Sequence, residues 1–194
     1  MRETRALGMA DPVQRHGDGS HSVTHEEGPF AQPFVEEAHL HRFVLDTRTR
    51  SVVESATLCS LPCDFPCVSP QRIGRPTRFC YSAGERFGPG EGITTFDALL
   101  KHDLDTGDMV RRPLPPGTLC GDVSFVPRPE SLDGGEGDDG YILLLTHVLE
   151  EDRAEMLVLD ARDILAPPVA VVHIPVRIPF GFHCEWVPGP IDGW

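Results

Sequence analysis

One phrase recurs along this chain and restricts its fold more than any other feature. It is an apolar strand closing on aspartate, a tight polar turn and a returning strand. It first reads Leu40-His41-Arg42-Phe43-Val44-Leu45-Asp46, then a turn over 47–50, then Ser51-Val52-Val53-Glu54. It returns as Ala98-Leu99-Leu100-Lys101-His102-Asp103-Leu104-Asp105, Thr106-Gly107-Asp108 and Met109-Val110-Arg111-Arg112. The third copy is Glu155-Met156-Leu157-Val158-Leu159-Asp160, a longer link over 161–168 and the strand Val169–Ile174. The closing aspartates fall at 46, 105 and 160, spaced 59 and 55 residues. An aspartate there can accept the N–H groups of the turn, and Gly107 supplies a positive φ.

Further strands are predicted between these hairpins at Pro76–Ser82, Asp122–Val126 and Gly140–Val148. The continuous apolar run of the last predicts burial on both faces. No segment carries a strong helical period. The chain therefore reads as all-β, with propeller-like blades of about four strands each. A two-layer sandwich is the competitor, and common hairpin grammar is the plainer account of the repeat. Only about three blades fit, fewer than the roughly four of the smallest closed propellers, so blade faces would lack neighbours.

Residues 1–35 hold His16, His21 and His25 among Gly, Ser, Asp and Glu, without apolar period, and read as a disordered tail ahead of a folded region at 36–194. Seventeen basic against thirty acidic residues give a formal charge of -13, which repels phosphate backbones and argues against nucleic acid. No apolar run approaches the roughly 18 residues of a membrane span, and no signal peptide is evident, so the cytoplasm is the expected location. Glu130, Asp133, Glu136, Asp138 and Asp139 alternate with glycines and read as a solvated acidic turn, since the order of a calcium loop is absent.

Six cysteines without a secretion signal read as small core thiols. The spacing of Cys59, Cys63 and Cys67 would suit one helix face, but Pro62 and Pro66 oppose a helix, and the paired spacing of zinc ribbons is absent. His39 and His41 share a strand face with Phe43 and Leu45 and read as a two-histidine hook or as an exposed edge. His102, His147 and His173 read as satisfied or surface strand histidines. No phosphate loop, serine elbow or His-Glu-x-x-His helix is present.

Two residues remain as site candidates. His183 lies in Pro179-Phe180-Gly181-Phe182-His183-Cys184-Glu185-Trp186. The pattern alone favours a hydrogen-bonded structural histidine over a metal ligand. Asp64, in Leu61-Pro62-Cys63-Asp64-Phe65-Pro66, would suit an acceptor that holds a ligand histidine, but a turn cap is the plainer role.

The order of phrases resembles the C-terminal portion of the carotenoid oxygenase family, which includes carotenoid, apocarotenoid and lignostilbene-type cleavage enzymes. The phrases are Leu40-His41-Arg42, Asp64-Phe65-Pro66, Gly74-Arg75-Pro76, Lys101-His102-Asp103-Leu104, Phe125-Val126-Pro127-Arg128, Asp138-Asp139-Gly140-Tyr141, Leu159-Asp160-Ala161 and Val176 to His183. The resemblance implies part of a seven-bladed β-propeller with nonheme Fe(II) on its axis, held by four histidines that bond in turn to glutamates. It implies dioxygenase chemistry, in which O2 cleaves a C=C bond of an apolar conjugated substrate. His183 matches the last iron ligand, and Asp64 stands where a supporting glutamate is usual. Cys184 replaces a customary glycine. The other three ligands have no match here, so the chain by itself is expected to be inactive unless a complementary N-terminal chain or self-association supplies them. A non-catalytic β-rich binding or structural module is the alternative.

Overall fold

The computed structural model describes residues 13–15, 21–23, 38–84, 96–130, 135–178, 183–187 and 189. The chain divides into two units, Met1–Val35 and Glu36–Trp194. In the first, strands β1 (Val13–Arg15) and β2 (His21–Val23) pair antiparallel, with Val13 opposite Val23. The expectation of a disordered tail otherwise falls outside the described residues, as do His16 and His25.

The second unit is built of antiparallel sheets. Strands β3 (His41–Asp46) and β4 (Ser51–Thr57) form a hairpin. A four-stranded sheet follows in chain order: β5 (Cys63–Cys67), β6 (Phe79–Gly84), β7 (Ala98–Asp103) and β8 (Met109–Pro113). A second repeats the pattern with β9 (Thr118–Pro127), β10 (Gly140–Val148), β11 (Arg153–Asp160) and β12 (Ala170–Ile174). The fold is all-β as expected, but the described residues of this unit form two four-stranded sheets and one two-stranded hairpin and no closed propeller. No helix among them is long and apolar enough to cross a membrane.

The hairpins fall where the phrase predicts them, with one correction. Asp46 Oδ1 accepts the N–H groups of Arg48 and Thr49 at 2.8 and 3.2 Å. Asp160 Oδ1 accepts that of Arg162 at 2.9 Å. In the middle copy the turn is gripped by Asp103, which accepts from Asp105 and Thr106 at 3.1 and 3.3 Å, and not by Asp105. The gripping residues Asp46, Asp103 and Asp160 are therefore 57 residues apart at each step. Gly107 takes the expected positive φ, 79°.

The two four-stranded sheets bury one core between them. Tyr81, Leu99, Ile142, Leu144 and Leu159 are fully buried in it, together with Phe96, Phe125 and Ile164. Each such aliphatic side chain is worth about 1.5–3 kcal/mol of transfer free energy. Gly140 starts β10 so close to β9 that a Cβ would lie 2.4 Å from the Val126 carbonyl oxygen, which explains the glycine there. Along β10 buried residues alternate with half-buried ones, so one face is covered fully and the other partly; the prediction of burial on both faces is corrected accordingly.

Polar contacts join the same two sheets. The Tyr81 hydroxyl donates to the Ala161 carbonyl at 2.8 Å, and Arg112 Nη1 donates to those of Ile164 and Ala166, each at 2.7 Å. Lys101 Nζ, nearly buried, lies 3.0 Å from both Asp138 Oδ2 and the Arg162 carbonyl oxygen and sits over the Phe79 ring. Asp139 pairs with Arg128 and Arg162, and Glu136 with Arg78. The acidic stretch is thus more than a solvated turn: three of its five carboxylates anchor cations. Asp133 lies outside the described residues.

Candidate functional site

The edge strands β5 and β9 meet His183 from two sides. His183 and Cys184 lie beside β9, and Cys184 is tied to it through its main chain. Asp122 Oδ2 accepts the Cys184 N–H at 2.6 Å, and Ser124 Oγ donates to the Cys184 carbonyl at 3.0 Å. The other Asp122 oxygen accepts the Val123 N–H at 2.8 Å. Fixed in this way and only 10 % exposed, the Asp122 carboxylate faces His183 Nδ1 at 3.5 Å, an ion-pair distance beyond ordinary hydrogen bonding. The imidazole itself is 78 % exposed. A carboxylate at one ring nitrogen sets the orientation that presents the other to a ligand. Sequence reasoning missed Asp122; the signal available was its place in Gly121-Asp122-Val123-Ser124-Phe125, a strand that precedes a recognised phrase.

From the other side comes Phe65, whose ring meets the His183 ring edge-on at 5.7 Å and the Phe96 ring at 5.6 Å. Asp64, the expected support for a ligand histidine, has another partner here. Its Oδ1 accepts the Phe65 N–H at 2.8 Å and its side chain is exposed, the turn-cap role that its local sequence favours. The structure thus brings His183 to Asp122 and Phe65. The motif residues 179–182 lie outside those described.

The other histidines from residue 38 onward are engaged elsewhere. His41 bonds to Ser55 and Thr57 across its hairpin, His39 to the Leu61 carbonyl, and His173 pairs with Glu155. His102 is buried with Nε2 2.8 Å from Ser82 Oγ, and burial lowers its pKa to about 4. His147 is likewise buried, with its pKa lowered by burial and then by the charge of Arg177. All six cysteines are free thiols. Burial pushes Cys80 and Cys120 up to about 12, and Cys63 and Cys67 upward as well, so these thiols are inert packing groups at neutral pH.

No group of three or more His, Cys, Asp or Glu side chains among the described residues could hold a metal ion. One imidazole beside one carboxylate is a single donor arm, so these residues alone do not fit the iron that the resemblance implies.

Comparison with known proteins agrees with the phrase order. A family model described as retinal pigment epithelial membrane protein matches residues 6–188. The apocarotenoid-15,15'-oxygenase of Synechocystis sp. is 35% identical over 152 residues, covering 78% of this chain and 30% of that one. The carotenoid 9,10(9',10')-cleavage dioxygenase 1 of Phaseolus vulgaris is 32% identical over 162 residues, covering 79% and 29%. The crystal structure of cobalt-substituted Synechocystis ACO superposes with a TM-score of 0.71 at 31% identity, over 88% of this chain and 35% of that one. The chain thus spans about a third or less of the length of these relatives.

Proposed function

Because this chain belongs to the carotenoid oxygenase family, which is iron-dependent, we propose that it supplies the last histidine arm of an Fe(II) dioxygenase site. In this reading the two four-stranded sheets are successive blades of a propeller, and β3–β4 are the outer strands of another. The observation that carries it is His183 beside Asp122 on the edge strand β9. Asp122 faces one imidazole nitrogen, and the Phe65 ring packs edge-on against the imidazole.

The reaction is oxidative cleavage of a C=C bond in a carotenoid, apocarotenoid or stilbene-like substrate, with both atoms of O2 ending in the two carbonyl products. The remaining donors come from polypeptide other than the described residues, as a complementary N-terminal chain or further copies. The 194 residues by themselves are then inactive. A metal-free binding or structural module is the second reading, favoured by the continuous core that the two sheets already bury between them.

Iron content and molar mass, measured on one purified sample, decide between them. The chain alone should be metal-free. Co-expressed with a polypeptide carrying the complementary blades of a relative, it should form a complex with about one iron, lost in His183→Ala. A complex whose iron is indifferent to His183→Ala would sink the proposal. Failure to assemble at all would leave the module reading as the better account.

A further inference from the structure

The segment Asp64-Phe65-Pro66 is a local irregularity with a purpose that the hairpin grammar does not explain. Asp64 pairs with Ala83 and Cys67 with Tyr81, so β5 carries one residue more than β6 between these pairs, a β-bulge. Phe65 lies in that bulge with φ of 54°. An aromatic residue rarely adopts positive φ, and the proline that follows narrows its options further. Such backbone persists only where its surroundings over-determine it, and bulges near working sites turn a side chain to a new direction. Two restraints supply this. The Asp64 carboxylate accepts the Phe65 N–H, and the ring is caught between Phe96 in the core and His183 outside it.

We propose that Phe65 is the positioning residue for His183: the bulge and Asp64 together turn its ring into the wall that keeps the imidazole against Asp122. Asp122 ties down the main chain at Cys184 and faces one ring nitrogen, but a contact of 3.5 Å on a side chain 78 % exposed leaves the ring free to swing away. Phe65 closes the direction of escape. Asp64 then acts at one remove, by capping the turn that aims Phe65. The inference rests on the reading of His183 as the working imidazole, and it assigns this role to two residues that do not bond to it.

The test is NMR of the full chain with labelled histidine, which needs no iron and so can fail separately from the dioxygenase reading. The parent should show a cross-peak between His183 Hε1 and the Asp122 Hβ protons, and a ring-current offset on the imidazole protons from Phe65. Phe65→Leu should lose both, while the Cys184 amide and the β6–β7 amides keep their parent shifts. Phe65→Tyr should restore both. Phe65→Gly suits the positive φ, which offsets part of the packing lost against Phe96, so it should stay folded with a lowered thermal midpoint and still lose the cross-peak. A folded Leu or Gly variant that retains the His183–Asp122 cross-peak at parental intensity overturns the proposal. So does unfolding of both ring-free variants, which would make Phe65 a core residue only.

Discussion

The hairpins β3–β4 and β7–β8 are written in the same phrase and meet opposite fates. A shift of 57 residues places Phe43, Val44 and Leu45 on Leu100, Lys101 and His102. The first three are 62 %, 38 % and 64 % exposed, while Leu100, Lys101 and His102 are buried. Both strands close on an aspartate that grips its turn. Local sequence therefore suffices to make the hairpin, and burial is conferred by neighbours: β7 has β6 and β8 on its edges, the second sheet against one face and Cys63, Leu40 and Leu61 around Leu100 on the other, whereas among the described residues β3 pairs with β4 alone.

The largest difference should appear where charge or volume is buried in one hairpin and not in the other. Lys101→Ala removes the partner of Asp138 inside the sheet interface and is expected to cost about 3–5 kcal/mol, as breaking a buried pair does. Leu100→Ala should cost about 2–5 kcal/mol through the cavity it leaves. Val44→Ala and Phe43→Ala, at the matching positions, should each stay within about 0.5 kcal/mol. Urea denaturation of the four variants checks this. A large cost at Phe43 would mean that β3–β4 is covered in solution, and the contrast between the hairpins would collapse.

Acid should separate them next. His102 is buried with a pKa of about 4, below the ordinary imidazole value near 6.5. The unfolded chain takes up this proton as pH falls through about 6.5, and the folded one refuses it until about 4. The stability that His102 contributes is thus complete above that window, lost across it and flat below, up to about 3 kcal/mol in all. Urea midpoints at pH 7 and pH 4.5 should differ less in His102→Gln than in the parent. Equal differences would place His102 in water.

How much of this was open to sequence reasoning follows from the range of each interaction. The hairpins and their turns are made by residues a few positions apart, and Asp46 and Asp160 could be picked out directly. In the middle copy Asp103 and Asp105 both precede the turn glycine, and only the backbone bonds show that Asp103 grips the turn. The partners of Lys101 and Arg112 lie 37 to 61 residues away, and nothing local announces them. His183 stands out as a candidate only through the family resemblance of its motif. Its seat does not, because Asp122 belongs to another strand and the β5 bulge is visible only against β6.

The smallest effect sharpens the turn itself. Asp46→Ala and Asp103→Ala each remove two acceptor bonds to turn amides, but Asp103 also holds Arg78 at 2.8 Å, and its carboxyl is drawn down to about 2, chiefly by that arginine. Amide exchange at Arg48 and Thr49 should quicken locally in the first variant. The second should quicken exchange at Asp105 and Thr106 and also lower the thermal midpoint slightly. Equal global effects would show that the arginine adds nothing.

The grip on Cys184 has a consequence for heredity rather than for energy. Asp122 and Ser124 hold that residue by its amide and carbonyl, so neither of these bonds reads its side chain. By these two bonds a cysteine, a glycine or an alanine after the histidine is threaded alike. Proline, which has no amide hydrogen to give, is the one spelling that this clasp forbids.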